Sequence, residues 1–183
     1  SLFNLHSSIF NSLWFVQAVG TVQVMARKVI IQVTDLVGGY GEEVILDHVS
    51  FEVYEGEIFV ILGGSGCGKS TLLKHMVGLI RPRSGRVIID GDELSSDDDR
   101  VYRRILRKFG VLYQSSALLG SMTLAENVAL PILEYTNLPH NHVATLVKMK
   151  LNLVNLDGYE GYLPSELSGG MRKRAGLARA MAL

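Results

Sequence analysis

The sequence predicts an α/β fold in which helices cover a sheet, and three observations carry this prediction. Apolar runs rich in Val and Ile recur up to Gln114, whereas the residues that follow have a mainly helical pattern. The hydrophobic fraction is 48%, before the 19 glycines are counted, and a largely parallel sheet buried on both faces produces such an excess. In addition, one apolar strand leads through a glycine-rich loop directly into a helix, which is an α/β connection.

Each element follows from a local pattern. Strands are predicted where Val and Ile accumulate between turn residues, at Lys28–Val37, Val44–Val53, Glu57–Leu62 (a buried strand), Arg86–Asp90 and Gly110–Tyr113. Glycines predict a turn at Gly38–Gly41 and another at Asp90–Gly91. Helices are predicted where apolar residues recur at helical spacing, at Thr71–Leu79, Arg100–Phe109, Thr123 to about Val154 and Ser168–Leu183. A loop is predicted at Asp157–Pro164.

The first residues differ from the rest in charge. From Ser1 to Ala26 there is no Asp, Glu, Lys or Arg, yet several polar side chains argue against a single transmembrane helix. No basic segment opens a secretory signal, and Met25 followed by Ala-Arg-Lys resembles a translation start. Residues 1–24 are therefore predicted to be a non-native or non-core extension, with a membrane-skimming segment as the alternative. Residues 25–183 are predicted to form the domain.

The charge balance limits the classes of partner. Lys and Arg number 18 and Asp and Glu number 18, so the formal net charge is zero. This balance gives no electrostatic reason to expect nucleic acid as a partner. The single cysteine, Cys67, excludes an intramolecular disulfide and fits a reducing compartment.

The glycine-rich loop matches the pattern G-x-x-x-x-G-K-[ST], which binds phosphate. Its glycines let backbone N–H groups turn towards phosphate oxygens, and the following helix adds the positive end of its dipole. Lys69 is placed to reach the β- and γ-phosphates, and the Ser70 hydroxyl to ligate Mg²⁺. The sequence therefore predicts an ATP and Mg²⁺ site formed by Gly63, Gly64, Ser65, Gly66, Cys67, Gly68, Lys69, Ser70 and Thr71.

A second motif narrows the family. The run Leu167-Ser168-Gly169-Gly170-Met171 and the basic, Ala-rich segment after it resemble the signature of ATP-binding cassette (ABC) ATPases. Val111-Leu112-Tyr113-Gln114 resembles the strand and glutamine of that family's Q-loop, and Tyr40 stands where the family places an aromatic residue. The resemblance covers about Lys28 to Leu183.

The resemblance implies roles for these residues. Tyr40 would stack on the adenine, with a surface tyrosine as the alternative, and the Gln114 amide oxygen would ligate Mg²⁺ or orient water. Ser168, Gly169 and Gly170 would offer N–H groups to the γ-phosphate held by the opposite subunit of a head-to-tail homodimer. An ordinary N-cap at Ser168 is the alternative for that residue.

The resemblance also implies a fold, namely a P-loop NTPase (RecA-like) core with an antiparallel β subdomain and an inserted helical subdomain at about residues 118–175. In the family an apolar strand ending in Asp-Glu, a D-loop and a switch histidine would follow Leu183. We therefore expect the fold to be incomplete at the C-terminus. No catalytic residue is then expected within residues 1–183, and the segment alone should not hydrolyse ATP.

One departure points to a branch of the family. Met171 replaces the usual glutamine, and this residue, with Pro164-Ser165-Glu166 before it, resembles the ATPases that serve MCE (mammalian cell entry) lipid transporters. The implied partners are an integral membrane permease and an MCE-domain substrate-binding protein, with a peripheral location at the cytoplasmic face of the bacterial inner membrane. Leu118 and Leu119 are predicted to be exposed for docking of the permease. The apolar run Val128–Leu133 has the same predicted role, with a helical core as its alternative.

Two other functions remain as alternatives. One is a non-transport ABC ATPase in DNA repair or translation, which the neutral charge and the lack of a coiled-coil insertion argue against. The other is a nucleotide-binding protein that does not hydrolyse ATP.

Overall fold

The computed structural model describes residues 14–17, 27–94 and 98–183. The chain divides into two compact units, Ser1–Ile105 and Leu106–Leu183. Most of the predicted extension, residues 1–13 and 18–24, lies outside the described residues. Among the described residues, no helix has the length and apolarity needed to cross a membrane.

The described residues of the first unit form six strands in two sheets. The strands are β1 Trp14–Gln17, β2 Val29–Tyr40, β3 Glu43–Tyr54, β4 Phe59–Leu62, β5 Ser84–Ile89 and β6 Asp92–Glu93. β1 pairs with β4, and the larger sheet has the order β3-β2-β5-β6. Every pairing among the described strands is antiparallel.

Helix α1, Lys69–Met76, packs against β2 and β3 of the larger sheet. Its buried side chains include Leu72 and Met76, and the sheet contributes buried residues such as Leu36 and Leu46. This packing fixes the loop in front of α1 relative to the sheet. Helix α2, Asp99–Leu106, ends the unit and carries Asp99 in its first turn, where an acid complements the helix dipole.

The second unit is helical. It contains α3 Leu124–Tyr135, α4 His140–Leu153, a short 3₁₀ turn at Pro164–Glu166 and α5 Gly169–Ala180. The three helices pack on one another around a buried apolar cluster, which includes Val128, Val147 and Ala175. A capping box begins α3, where the Glu126 backbone N–H donates to the Thr123 hydroxyl and the Thr123 N–H donates to the Glu126 carboxylate. The hydrogen bonds that the Glu126 carboxylate accepts from the Thr123 backbone N–H and, second, from the Thr123 hydroxyl lower the pKa of Glu126.

Several predictions about the strands were wrong. Gly110–Tyr113 forms no strand, because it packs against the end of α5, so closely that a Cβ on Gly110 would stand 1.6 Å from the Ala180 oxygen. The turn predicted at Gly38–Gly41 is confined to Gly41–Glu42, and β2 continues to Tyr40. Gly38 and Gly39 lie within β2 instead, where the absence of a side chain lets neighbouring atoms approach their backbone closely.

The expected parallel sheet and the burial of the strand before the loop are also corrected. No parallel pair occurs among the described strands. The buried apolar side chains belong instead to an antiparallel sheet and to a helical cluster, and these account for apolar residues that a parallel sheet was expected to contain. The predicted strand Glu57–Leu62 is confirmed over Phe59–Leu62, yet Val60 and Leu62 on one of its faces are exposed.

Candidate functional site

The glycine-rich loop places one ammonium group against its own backbone. The Lys69 Nζ donates to the carbonyl oxygens of Gly63 at 2.9 Å and Gly64 at 2.6 Å, and it lies 3.4 Å from the Cys67 sulfur. Gly64, Ser65 and Gly66 are exposed. The positive charge therefore lies inside a loop that is open to solvent.

Two glycines give this loop its conformation. Gly66 has φ 81° and Gly68 has φ 93°, a left-handed region that residues with a side chain rarely adopt. A Cβ on Gly68 would also stand 2.9 Å from Ile45 of β3, whereas a Cβ on Gly64 or Gly66 would meet nothing within 4 Å. The loop is therefore tight on the side of the sheet and open at its tip.

Tyr40 lies at the end of β2 beside the helix that follows this loop. Its hydroxyl oxygen accepts a hydrogen bond from Lys74 Nζ at 2.9 Å. Hydrogen bonding from Lys74, and second from Thr71, lowers the pKa of the Tyr40 phenol. The structure thus places Tyr40 and the phosphate-loop helix together in the first unit.

A buried histidine joins this helix to the sheet. His75 is 1% exposed, its Nδ1 donates to the Ile80 carbonyl at 2.9 Å, and its Nε2 is buried without a hydrogen-bond partner. Burial lowers the pKa of His75, which favours the neutral ring. A Cβ on Gly38 would stand 2.3 Å from Nε2, so only glycine fits opposite this ring.

Gln114 belongs to the second unit and is exposed in a turn closed by the bond from Ser116 N–H to the Tyr113 carbonyl at 2.9 Å. Ser116 and Ala117 follow with φ 66° and 48°, an unusual backbone for residues that carry a side chain. The Gln114 segment, residues 114–123, therefore leaves the turn in a conformation that needs support from elsewhere.

Two side chains supply that support. Arg179 of α5 donates to the carbonyls of Ala117 at 2.7 Å and Ser116 at 3.0 Å, while burial lowers the pKa of its guanidinium. Asn127 of α3 is completely buried; its amide oxygen accepts from the Leu119 N–H at 2.8 Å. The Asn127 amide nitrogen lies within 3.1 Å of three carbonyl oxygens, those of Leu119, Met122 and Thr123.

The signature residues open α5. Ser168 is the N-cap, and its hydroxyl accepts the Met171 N–H at 3.2 Å. Gly169 and Gly170 are exposed in the first turn, where helix N–H groups have no partner within the helix. Ser168 therefore forms an ordinary N-cap, which is the alternative given for this residue above. The exposed N–H groups of Gly169 and Gly170 are available to an acceptor outside the helix.

The predicted docking residues divide into two kinds. Leu118 packs against the buried cluster of the second unit, so its predicted exposure was wrong, whereas Leu119 is exposed. Within the helical run, Val128 and Ile132 belong to the core and Leu130 and Leu133 are exposed. The helical-core alternative thus holds for the inward half of that run.

Three residues that support Tyr40 or the Gln114 segment are not among the residues predicted from the sequence, namely Lys74, Asn127 and Arg179. Asn127 offered one usable signal, because it is the polar member of an otherwise apolar helix face that includes Leu124 and Val128. Among the basic residues of α5, exposed Arg174 donates to the carbonyls of Val154 at 2.9 Å and Asn155 at 2.8 Å.

The residues of the loop fit a triphosphate. Its tip leaves room where side chains would stand, its ammonium faces the same loop, and a helix N-terminus follows directly. In the described parts of the chain, no three His, Cys, Asp or Glu side chains gather at metal-binding distance. The assignment of Mg²⁺ to Ser70 and Gln114 stays a prediction.

Comparison with protein families matches residues 46–183 to the ABC transporter family. The chain is 43% identical over 166 residues to "Probable ribonucleotide transport ATP-binding protein mkl" of Mycobacterium leprae, covering 91% of this chain and 48% of that protein. It is 42% identical over 154 residues to the intermembrane phospholipid transport system ATP-binding protein MlaF of Haemophilus influenzae, covering 84% and 58%. The chain thus spans about half the length of these relatives.

Solved structures give the same answer for the fold. The chain superposes on a dimeric, post-hydrolysis structure of the ATP-binding cassette MJ0796 bound to ADP and phosphate, with a TM-score of 0.73 and 28% identity. The match covers 84% of this chain and 69% of that one. The resemblance inferred from the two motifs and the predicted fold class are both confirmed.

Proposed function

Because the chain belongs to the ABC transporter family, we propose that it is the ATP-binding and ATP-hydrolysing subunit of a transporter that moves lipid or another hydrophobic substrate. The observation that carries the nucleotide part is the position of the Lys69 ammonium within the open glycine loop at the start of α1. The lipid part is supported by the similarity to MlaF and by the residues around Met171.

The loop chemistry follows from these contacts. When a triphosphate enters, Lys69 exchanges its bonds to the Gly63 and Gly64 carbonyls for bonds to phosphate oxygens, which carry full charge. The backbone N–H groups at the start of α1 add donors, and the Ser70 hydroxyl is an oxygen ligand for Mg²⁺. An Mg²⁺ ion held by this hydroxyl would neutralise part of the phosphate charge.

The partners follow from the family in the same way. We assign Ser168, Gly169 and Gly170 to the γ-phosphate of a second cassette, which makes the working unit a head-to-tail homodimer. The exposed N-terminal turn of α5 and the dimeric state of the MJ0796 structure support this assignment. An integral membrane permease and an MCE-domain protein complete the proposed system, in which this subunit lies peripherally at the cytoplasmic face of the bacterial inner membrane.

Titration calorimetry with MgATP tests the nucleotide site. Lys69→Ala in the full chain should weaken binding by about 10- to 100-fold, since it removes charge-assisted hydrogen bonds worth about 1.5–3 kcal/mol. The matched control is Lys148→Met, an exposed lysine of α4, which should bind as the unmodified protein does. Equal losses in the two variants would contradict the assignment of Lys69.

The cargo is tested separately in cells. A strain without this gene should leave phospholipid misplaced in the outer leaflet and become sensitive to detergent, and the Lys69→Ala gene should not restore tolerance. Normal detergent tolerance in the deletion strain would contradict lipid as the cargo, but it would not contradict the proposed nucleotide-binding site. Loss of ribonucleotide uptake instead would favour the cargo named for the mycobacterial relative.

A further inference from the structure

We infer that Lys74 is a positioning residue, which holds the Tyr40 ring at the phosphate-loop helix in a fixed orientation for stacking on the base of a bound nucleotide. This inference rests on the proposed nucleotide site. It adds a residue that no sequence motif marked, and it makes the affinity for the base depend on a side chain that does not itself contact the base.

One face of α1 lies against the Tyr40 hydroxyl. Lys74 Nζ donates to that oxygen at 2.9 Å, and Thr71 is the second contributor to the lowered pKa of the phenol. Thr71 and Lys74 are three residues apart in a helix, so their side chains lie one above the other on the same face. The helix that carries Lys69 therefore also holds the aromatic ring, although Tyr40 belongs to the end of β2.

The ammonium holds the ring by its edge. Lys74 Nζ is 2.9 Å from the hydroxyl oxygen but 5.3 Å from the ring centroid, which places it at the hydroxyl end of the ring. An ammonium in that position leaves both ring faces uncovered by its own charge. A face is what a nucleotide base needs for stacking.

Fixing the ring beforehand strengthens binding. A tyrosine at a strand end that is 44% exposed would otherwise sample several rotamers, and binding would have to restrict them. Each rotamer-rich side chain that is already held removes part of that entropy cost. Lys74 therefore acts on the base through Tyr40, while Lys69, more than one helical turn earlier, acts on the phosphates.

The test compares ATP with inorganic tripolyphosphate, which has the phosphates and lacks the base. Binding of both is measured by calorimetry with Mg²⁺ on the full chain. Lys74→Met should weaken ATP binding about three- to tenfold and leave tripolyphosphate binding unchanged, because one hydrogen bond to the ring is lost. Lys74→Arg should restore most of the ATP affinity, and Lys148→Met should change neither ligand.

A double variant shows whether Lys74 acts through the tyrosine hydroxyl. Tyr40→Phe keeps the ring and removes the acceptor, so Lys74→Met should have no further effect on ATP binding in that background. An undiminished effect there, or an equal loss for tripolyphosphate, would mean that Lys74 contacts the phosphates and would overturn the inference. Unchanged ATP affinity in Lys74→Met would also overturn it.

The proposed function fails in a distinguishable way. If the unmodified protein binds neither ATP nor tripolyphosphate, the nucleotide site itself is wrong. If Lys69→Ala loses both ligands while Lys74→Met loses neither, the nucleotide site stands and only the positioning role of Lys74 is removed.

Discussion

Two segments of this chain are predicted to face nucleotide, and they are held in place by different means. The loop from Gly63 to Gly68 is held locally, by two left-handed glycines and by hydrogen bonds from the ammonium group of Lys69 directly after it. The Gln114 segment is held by side chains from other elements, since Arg179 lies 62 and 63 residues from the carbonyls that it binds.

This difference indicates which substitutions should destabilise each segment. A loop built from backbone geometry depends on glycine at particular positions and tolerates changes in its surroundings. A segment held by distant side chains depends on one or two buried polar groups, whose loss leaves several backbone groups without partners. Single substitutions can therefore separate the two kinds of support.

The largest effect is expected at Asn127. Asn127→Leu removes the acceptor of the Leu119 N–H and the two amide N–H donors that face three carbonyl oxygens, so we expect a loss of about 3 kcal/mol in the free energy of unfolding. Chemical denaturation measures it. The control is Asn152→Leu at an exposed position of α4, which should stay within about 0.5 kcal/mol of the unmodified protein. A similarly small change for Asn127→Leu would mean that this segment supports itself.

Two glycines of the phosphate loop should differ from each other. Gly68→Ala forces a side chain onto a left-handed backbone and against Ile45, so it should cost about 2 kcal/mol in the free energy of unfolding. Gly64→Ala meets nothing within 4 Å and should change that free energy by less than about 0.5 kcal/mol. Equal free energies of unfolding for the two variants would show that the left-handed backbone at Gly68 does not determine the conformation of this loop.

Arg179 should contribute less than Asn127, because its guanidinium is only partly buried. Arg179→Met should cost about 1 kcal/mol, through the loss of hydrogen bonds to Ser116 and Ala117. Faster hydrogen exchange should be confined to the Gln114 segment. Lys173→Met, at an exposed position of the same helix, is the control. Exchange that stays unchanged in Arg179→Met would remove this residue as a support.

The same distinction explains what the sequence could predict. The phosphate loop and the signature run that includes Ser168 are visible because each is a motif of consecutive residues, and Tyr40 was assigned by its position in the family that these motifs resemble. Lys74 and Arg179 act on groups that only folding brings near them, so no local pattern marks them, and Asn127 is marked only as the polar member of an apolar helix face. The strand expected at Gly110–Tyr113 failed for a related reason, since apolar residues alone do not show whether a neighbouring strand or a helix lies beside them.

The smallest expected effect concerns His75, where the helix behind the phosphate loop also relies on one buried side chain. Burial lowers the pKa of His75 in the folded protein below its unfolded value of 6.5, so the unfolded chain binds the proton more readily. The stability from the neutral ring is present above pH 6.5 and is lost as the pH falls from there towards the folded pKa. The physical reason is that Nδ1 already donates to Ile80, and a proton on Nε2 would find no acceptor.

Denaturation between pH 7.5 and 5.5 measures this contribution, and His48 must be removed first. The pKa of exposed His48 is raised by its bond to Asp35, so its contribution has the opposite sign, present below pH 6.5 and lost as the pH rises. In a His48→Gln background the unfolding free energy should fall as the pH is lowered towards 5.5, and His75→Leu should flatten that slope. An equal slope with and without His75 would assign the pH dependence to other groups, and the support of α1 would then rest on packing alone.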